Sequence, residues 1–210
     1  MKYGIFIDRM AYPVINLLGP GKRLVIWVQG CSRRCYGCIS PELFKQKIEC
    51  YYYIENIFNL LPRDNELNGI TVTGGEPFEQ AESLYNLLKI VRDNTQFDIM
   101  VYSGCTIENI RKVTNAQKKL LSVIDILIDG EYKKNYTNVK IWRGSDNQRV
   151  FLLTENAQKF QEHFNQTYSD NRQLLFQISN DRTLYLVGIP DKNFDMSFRA
   201  NTKQYGVFIP

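Results

Sequence analysis

A chain of 210 residues, 44% of them hydrophobic, has ample apolar material for one sizeable core, with room for a small appendage. No apolar run approaches the roughly 18 residues that span a bilayer, and nothing at the N-terminus reads as a signal peptide, so no membrane partner and a cytoplasmic location are expected. The net charge of +4 comes from scattered Lys and Arg, apart from small groups such as Lys118-Lys119 and Lys133-Lys134; these read as solvated surface, and nucleic acid is an unlikely partner on composition.

In chain order, a short apolar strand at 24–29 (L-V-I-W-V-Q) runs into Gly30 and a cysteine-rich loop. A helical pattern at 51–61 follows, then a strand at 69–73 (G-I-T-V-T) that stops at Gly74-Gly75-Glu76-Pro77. Next come a helix at 79–92, with Leu84, Leu87, Leu88 and Val91 on one face, and a strand at 98–102 ending at Ser103-Gly104. A helical pattern at 107–121 leads to a strand at 124–128 (I-D-I-L-I) ending at Asp129-Gly130. Alternation of this kind predicts βαβ units and a parallel sheet. Sites in such sheets collect outside the carboxyl ends of the strands, so the cysteine loop, the Gly-Gly-Glu turn, Ser103 and Asp129 are expected to share one mouth. Beyond 154 the pattern predicts a helix at 155–168, a hairpin of 174–179 and 183–187 around Asn180-Asp181, an end at Gly188-Ile189-Pro190, and a tail at 191–210 with no sustained period.

The loop C-S-R-R-C-Y-G-C places Cys31, Cys35 and Cys38 in C-x3-C-x2-C spacing. Five cysteines in 210 residues are too sparse for a disulfide framework. Structural zinc wants a fourth ligand, but no second C-x2-C half is present and the single histidine, His163, is far along the chain, where a structural role fits better. An iron-sulfur cube normally takes four cysteines; three from one loop would leave one iron open to a small molecule. Cys50 and Cys105 lie outside any cluster-like spacing and read as structural, Cys105 as half-buried near the mouth.

The cysteine loop followed by T-G-G-E-P resembles the radical S-adenosylmethionine superfamily. Within it, G-P-G-K-R (19–23), I-W-V-Q-G-C (26–31), the Y-S-G turn, D-I-L-I-D-G and I-W-R-G-S-D-N-Q (141–148) resemble the family of activating proteins for anaerobic ribonucleotide reductase, over about residues 1–154. Glycine at 37, where the superfamily commonly has an aromatic residue, is similar to that subgroup.

The resemblance implies an α/β fold of the partial (β/α) barrel type, with residues 1–154 as the radical S-adenosylmethionine domain and 155–210 as a C-terminal extension of helix, hairpin and irregular tail. It implies a 4Fe-4S cluster on Cys31, Cys35 and Cys38, with S-adenosylmethionine chelating the open iron and cleaved by one electron to methionine and a 5'-deoxyadenosyl radical. Gly74 and Gly75 would let the cofactor's amino acid moiety approach the backbone, and Glu76 would accept its ammonium protons. Ser103 and Asp129 would contact the amino acid or ribose, with Asp129 the better partner for the ammonium, while Gly37, Cys38 and Ile39 would present backbone groups to the adenine. The implied partners are a glycyl radical enzyme such as anaerobic ribonucleotide reductase, and a flavodoxin or ferredoxin as reductant. Two other readings stay open: radical modification of a peptide or small molecule, with the extension as recognition element, and a non-catalytic cluster-binding or electron-transfer protein.

Overall fold

The four apolar runs lie side by side and point the same way, because each of the first three is followed by a helical crossover long enough to return the chain to the start of the next. The computed structural model describes residues 3–168, 172–178 and 183–203. Its strands and helices are β1 (Gly4–Ile15), β2 (Lys22–Val28), β3 (Tyr51–Tyr53), α1 (Ile54–Asn59), β4 (Gly69–Gly74), α2 (Ala81–Asn94), β5 (Asp98–Ser103), α3 (Ile107–Ile110), α4 (Asn115–Leu121), β6 (Ile126–Asp129), β7 (Arg149–Leu152), α5 (Glu155–Gln158), α6 (Gln161–Phe164), β8 (Leu175–Ile178), β9 (Leu184–Val187) and α7 (Phe194–Lys203).

A seven-stranded sheet runs β3-β1-β2-β4-β5-β6-β7. Strands β2, β4, β5 and β6 are mutually parallel. Antiparallel strands flank them: β1 on β2, β3 on β1, and β7 on β6. The sheet is open, as a partial barrel requires, since its terminal strands β3 and β7 each have one neighbour.

Both faces of the parallel strands are buried, which is why they read as continuous apolar runs rather than alternating ones. Leu24, Ile26 and Val28 of β2 join Ile70, Val72, Ile99, Val101 and Leu127 beneath the helices, meeting Ile57, Leu84, Leu87, Leu88, Ile110 and Leu120. The intervening Val25 and Trp27 point to the opposite face, where they pack with Ala11, Val14, Leu18, Leu43 and Val187. Farther along that face, Met100, Ile126 and Ile128 meet Trp142, Ala157 and Phe164. Val187, Ala157 and Phe164, all beyond 154, therefore share in covering this face with β1, Leu18, Leu43 and Trp142.

Several boundaries differ from the sequence-based expectations. Tyr51–Tyr53 pairs as an edge strand with Gly4, Ile5 and Phe6 instead of opening a helix, in keeping with the strand preference of tyrosine and the packing of Tyr51 on Phe6. The helical pattern at 107–121 breaks at Arg111, and each half has its own cap, Thr106 accepting from the Asn109 amide and Thr114 from the Gln117 amide. Strand β6 starts at 126, because Ile124 still bonds back to the Leu121 carbonyl. The pattern at 155–168 gives two short helices broken at Lys159 and Phe160. Strand β1 was invisible to alternation because register shifts between Ile7 and Arg9 and between Ala11 and Val14 interrupt it, and β7 is a four-residue antiparallel addition.

Strands β8 and β9 form the expected antiparallel hairpin, whose turn at Asn180-Asp181 lies outside the described residues. The tail carries a helix, α7, where Phe194 and Phe198 stack one turn apart and Phe198 stacks on Phe176. Residues 204–210 lie outside the described residues. Among the described residues no helix is long and apolar enough to cross a membrane.

Candidate cofactor and cluster site

The carboxyl ends of β2, β4, β5 and β6 stand in a row, with Val28 opposite Gly74 and Ser103 opposite Asp129. Backbone bonds knit the turns that follow them. The Gly75 amide donates to the Val28 carbonyl at 2.7 Å and the Glu76 amide to the Gly30 carbonyl at 2.8 Å. This approach requires glycine: a Cβ on Gly75 would run into the Gly30 carbonyl oxygen, and one on Gly74 into the Val28 backbone. Gly75→Ala is therefore expected to lower the melting temperature by several degrees and to cost cofactor affinity, since the β2 and β4 turns must part. Thermal unfolding beside dialysis with S-adenosylmethionine checks this; unchanged values would show that the turns tolerate separation.

The cysteine loop leaves β2 at Gly30 and returns near Phe44. Its base is closed by the Gly30 amide on the Leu43 carbonyl and the Cys31 amide on the Phe44 carbonyl, at 2.8 and 3.1 Å. Ser32 latches the loop to the 3-10 turn after β4, its amide and hydroxyl both donating to Glu79 Oε1 at 2.8 and 2.5 Å. Cys31, Cys35 and Cys38 are free thiols, each half-buried. Burial raises the pKa of Cys35 and Cys38, and neighbouring charge, including Cys38 acting on Cys35 and Cys31 on Cys38, raises them further. A cationic iron would reverse that penalty, and three soft sulfur donors on one loop suit an iron-sulfur cluster better than a hard cation. Among the described residues no three metal-ligating side chains already stand in coordination geometry, so the chain offers a loop bearing three donors.

Beside this loop, Glu76 is 1% exposed, and burial raises its pKa against the hydrogen bonds that favour its charge. Its Oε1 accepts from the Ser103 hydroxyl at 2.8 Å and the Phe78 amide at 3.1 Å, and its Oε2 from the Gly104 amide at 2.8 Å. Oε2 keeps one acceptor direction for an incoming donor. Ser103 is committed to its neighbours, since its hydroxyl also accepts from the Cys105 amide. Asp129, fully buried, accepts from the Ile107 amide at 2.7 Å and from Arg149 on both oxygens.

Gly37 and Ile39 stand on the exposed outer part of the loop. Gly37 has φ +72°, and the stem of Lys134 lies where its Cβ would be, so glycine there serves the chain's own packing before any ligand arrives. The Lys134 ammonium lies 5.3 Å from the Tyr36 ring centre. Cys105 is half-buried, touches the main core and receives a weak bond from Arg33 at 3.5 Å. Cys50 is half-buried in a short 3-10 turn, outside the cysteine loop, with its thiol against the Gln29 side chain. His163 stacks on Trp142 and meets Phe160 edge-on, a packing role.

Sequence reasoning passed over Arg33, whose charge burial opposes and the neighbouring Cys105, Glu76 and Glu131 support, leaving its pKa raised. Asn147 and Gln148 close the I-W-R-G-S-D-N-Q motif and Arg149 follows it, yet no local pattern marks these three for a role at the site; nothing in a sequence says that a distant tripeptide will fold against the β6 turn.

A loop of three free thiols set at the carboxyl end of a parallel sheet, beside a buried Glu76 and Asp129, fits an iron-sulfur protein of the radical S-adenosylmethionine class. Comparison with known proteins agrees: residues 17–151 match the family described as a 4Fe-4S single cluster domain. The anaerobic ribonucleoside-triphosphate reductase-activating protein of Enterobacteria phage T4 is 32% identical over 157 residues, covering 72% of this chain and 97% of that protein. The proteins of the same name from Pasteurella multocida and Escherichia coli K12 are 29% and 28% identical, over 69% and 68% of this chain and 96% of each. This chain belongs to the family of anaerobic ribonucleoside-triphosphate reductase-activating proteins. Its cofactors are a 4Fe-4S cluster and S-adenosylmethionine, and it is a radical S-adenosylmethionine oxidoreductase of the activating type.

Proposed function

We propose that the chain installs a glycyl radical on a partner enzyme, an anaerobic ribonucleotide reductase, using Cys31, Cys35 and Cys38 to hold three irons of the cluster. What supports this reading is that the cysteine loop leaves β2 at Gly30, whose carbonyl accepts from the Glu76 amide, on the sheet edge that also carries Gly75 and Asp129. When bound, the cluster and S-adenosylmethionine supply reductive cleavage of a carbon-sulfur bond, giving methionine and a 5'-deoxyadenosyl radical that takes one hydrogen atom from a glycine Cα. The protein's residues orient and enclose. Gly74 and Gly75 admit the cofactor's amino acid moiety, Glu76 accepts from its ammonium through the free direction of Oε2, and Ser103 serves that subsite by holding Glu76. Asp129 supports the amino acid or ribose, and Gly37 and Ile39 meet the adenine at the rim.

The electron comes from a flavodoxin or ferredoxin in the cytoplasm. Residues 1–154 form the catalytic unit and 155–210 an appended element.

The test is anaerobic. Protein reconstituted with iron and sulfide is reduced, mixed with S-adenosylmethionine and a candidate reductase, and the reductase is examined by electron paramagnetic resonance while 5'-deoxyadenosine is quantified. A glycyl doublet with matching 5'-deoxyadenosine is expected. Cleavage of S-adenosylmethionine without a radical on the reductase would count against this partner. A second reading, a peptide or small-molecule substrate, is favoured by the packing of Ala157, Phe164 and Val187, beyond the 17–151 match, on the face of the sheet opposite α1, α2 and α4. A product formed without any reductase would establish it.

A further inference from the structure

Three consecutive residues grip three consecutive residues of the β6 turn. Asn147 Nδ2 donates to the Glu131 carbonyl at 2.9 Å, Gln148 Nε2 to the Gly130 carbonyl at 2.9 Å, and Arg149 to the Asp129 carboxylate, Nε on Oδ1 at 2.9 Å and Nη2 on Oδ2 at 2.6 Å. Gln148 is itself aimed, its Oε1 accepting from the Gly144 amide at 2.9 Å. Arg149 is held from three sides: Asp129 below, Glu108 at 2.7 and 3.1 Å, and the Phe151 ring 5.0 Å from the guanidinium carbon. We propose that Arg149 is a positioning residue for the cofactor site, fixing the Asp129 carboxylate at the mouth, with Asn147 and Gln148 setting the turn that carries it.

A fully buried carboxylate with no cation would swing toward water or take up a proton, and either would lose the acceptor direction it offers the cofactor. A guanidinium supplies two parallel donors to one carboxylate, which fixes the carboxylate plane as well as its charge; a lysine ammonium supplies a point. Asp129 also caps the amide of Ile107, so its orientation and the start of α3 are set together. With one bond from Arg149 on Oδ1, and one each from Arg149 and Ile107 on Oδ2, a single acceptor direction remains on Oδ1. Arg149 thus leaves the carboxylate with one vacancy and a defined aim. The inference rests on the reading of Asp129 as a cofactor contact.

The experiment uses protein carrying its cluster, unreduced so that no turnover occurs, and measures the dissociation constant of S-adenosylmethionine by equilibrium dialysis, with iron content and melting temperature beside it. R149Q and D129N are each expected to weaken binding by roughly tenfold, in the range that loss of an outer partner costs. The R149Q/D129N double variant should be no worse than about threefold beyond the weaker single one, because both act through one contact; independent contributions would multiply to about a hundredfold. R149K should recover part of the affinity, and iron content should hold throughout. If R149Q does not fold, the neutral pair of the double variant and the charge-retaining R149K still give the comparison. Native-like affinity in R149Q, or multiplying effects in the double variant, would overturn the inference. Weak binding in R149Q with native affinity in D129N would overturn it too, and the Asp129 contact with it. No binding by the native holoprotein would sink the functional reading itself.

Discussion

Alanine in place of Cys31, Cys35 or Cys38 is expected to abolish S-adenosylmethionine cleavage, a larger loss than the roughly 10–100-fold that removal of an outer partner of a metal site causes. Each thiolate holds one iron in the proposed site, and the half-buried loop has no spare sulfur: Cys105 is engaged by Arg33 beyond the Gly104 turn, and Cys50 by the Gln29 side chain. Two remaining thiolates would leave two irons exposed to solvent and oxygen. Iron content and the visible absorption of the anaerobically reconstituted protein should fall together with 5'-deoxyadenosine formation. Cys50→Ala should keep all three within about twofold, since a half-buried thiol outside the site behaves as a small hydrophobe. A single loop cysteine whose loss left the cluster intact would show that the ligand set has been drawn wrongly.

The residues proposed to carry this chemistry can be picked out in the sequence because each sits where a strand stops. Apolar runs mark the strands, the helical spacing between them demands parallel crossovers, and parallel order puts Gly30, Gly75, Ser103 and Asp129 on one edge. What local pattern cannot show is pairing between distant pieces. Strand β1 is broken by irregularities in register, Tyr51–Tyr53 becomes a strand only because Gly4–Phe6 lies beside it, and β7 is recognisable only once β6 is in place. The same limit hid the partners of the site carboxylates. Glu76 and Asp129 were read as free to meet a cofactor, and the fold gives each a set of donors from its own chain, from Ser103, Gly104, Ile107 and Arg149. A carboxylate buried beside a cofactor has to be held by something, and the holder lies 20 residues beyond Asp129 in one case and 27 beyond Glu76 in the other.

Arg23 is the side chain whose loss should cost the fold most. Its motif, G-P-G-K-R, carries the family resemblance, yet the arginine lies at the start of β2, at the end of the sheet away from the cysteine loop. It is wholly buried: Nε donates to Thr71 Oγ1 at 2.7 Å, Nη1 to the Pro20 carbonyl at 3.0 Å, and Nη2 to the Ile70 carbonyl at 2.9 Å, with the Asp98 carboxylate 2.6 Å away. Thr71 in turn donates to the Leu18 carbonyl. One guanidinium thus ties the Leu18 to Pro20 loop to the starts of β4 and β5. Arg23→Met keeps much of the volume but leaves the Asp98 charge and these carbonyls buried without their donor, which costs about 3–5 kcal/mol. At about 2–4 °C per kcal/mol for a chain of this size, the melting temperature should fall by on the order of 10 °C. Arg23→Met with Asp98→Asn should recover part of the loss, because the uncompensated charge is then gone while the carbonyls still lack a donor. Thermal unfolding of the two variants reads the difference directly, and equal losses would show that the orphaned carbonyls, and not the Asp98 charge, set the cost. The loop cysteines should still take up iron in whatever fraction of Arg23→Met remains folded, since the sheet separates its two ends: one edge holds the strands together, and the other is left free to hold the cofactors.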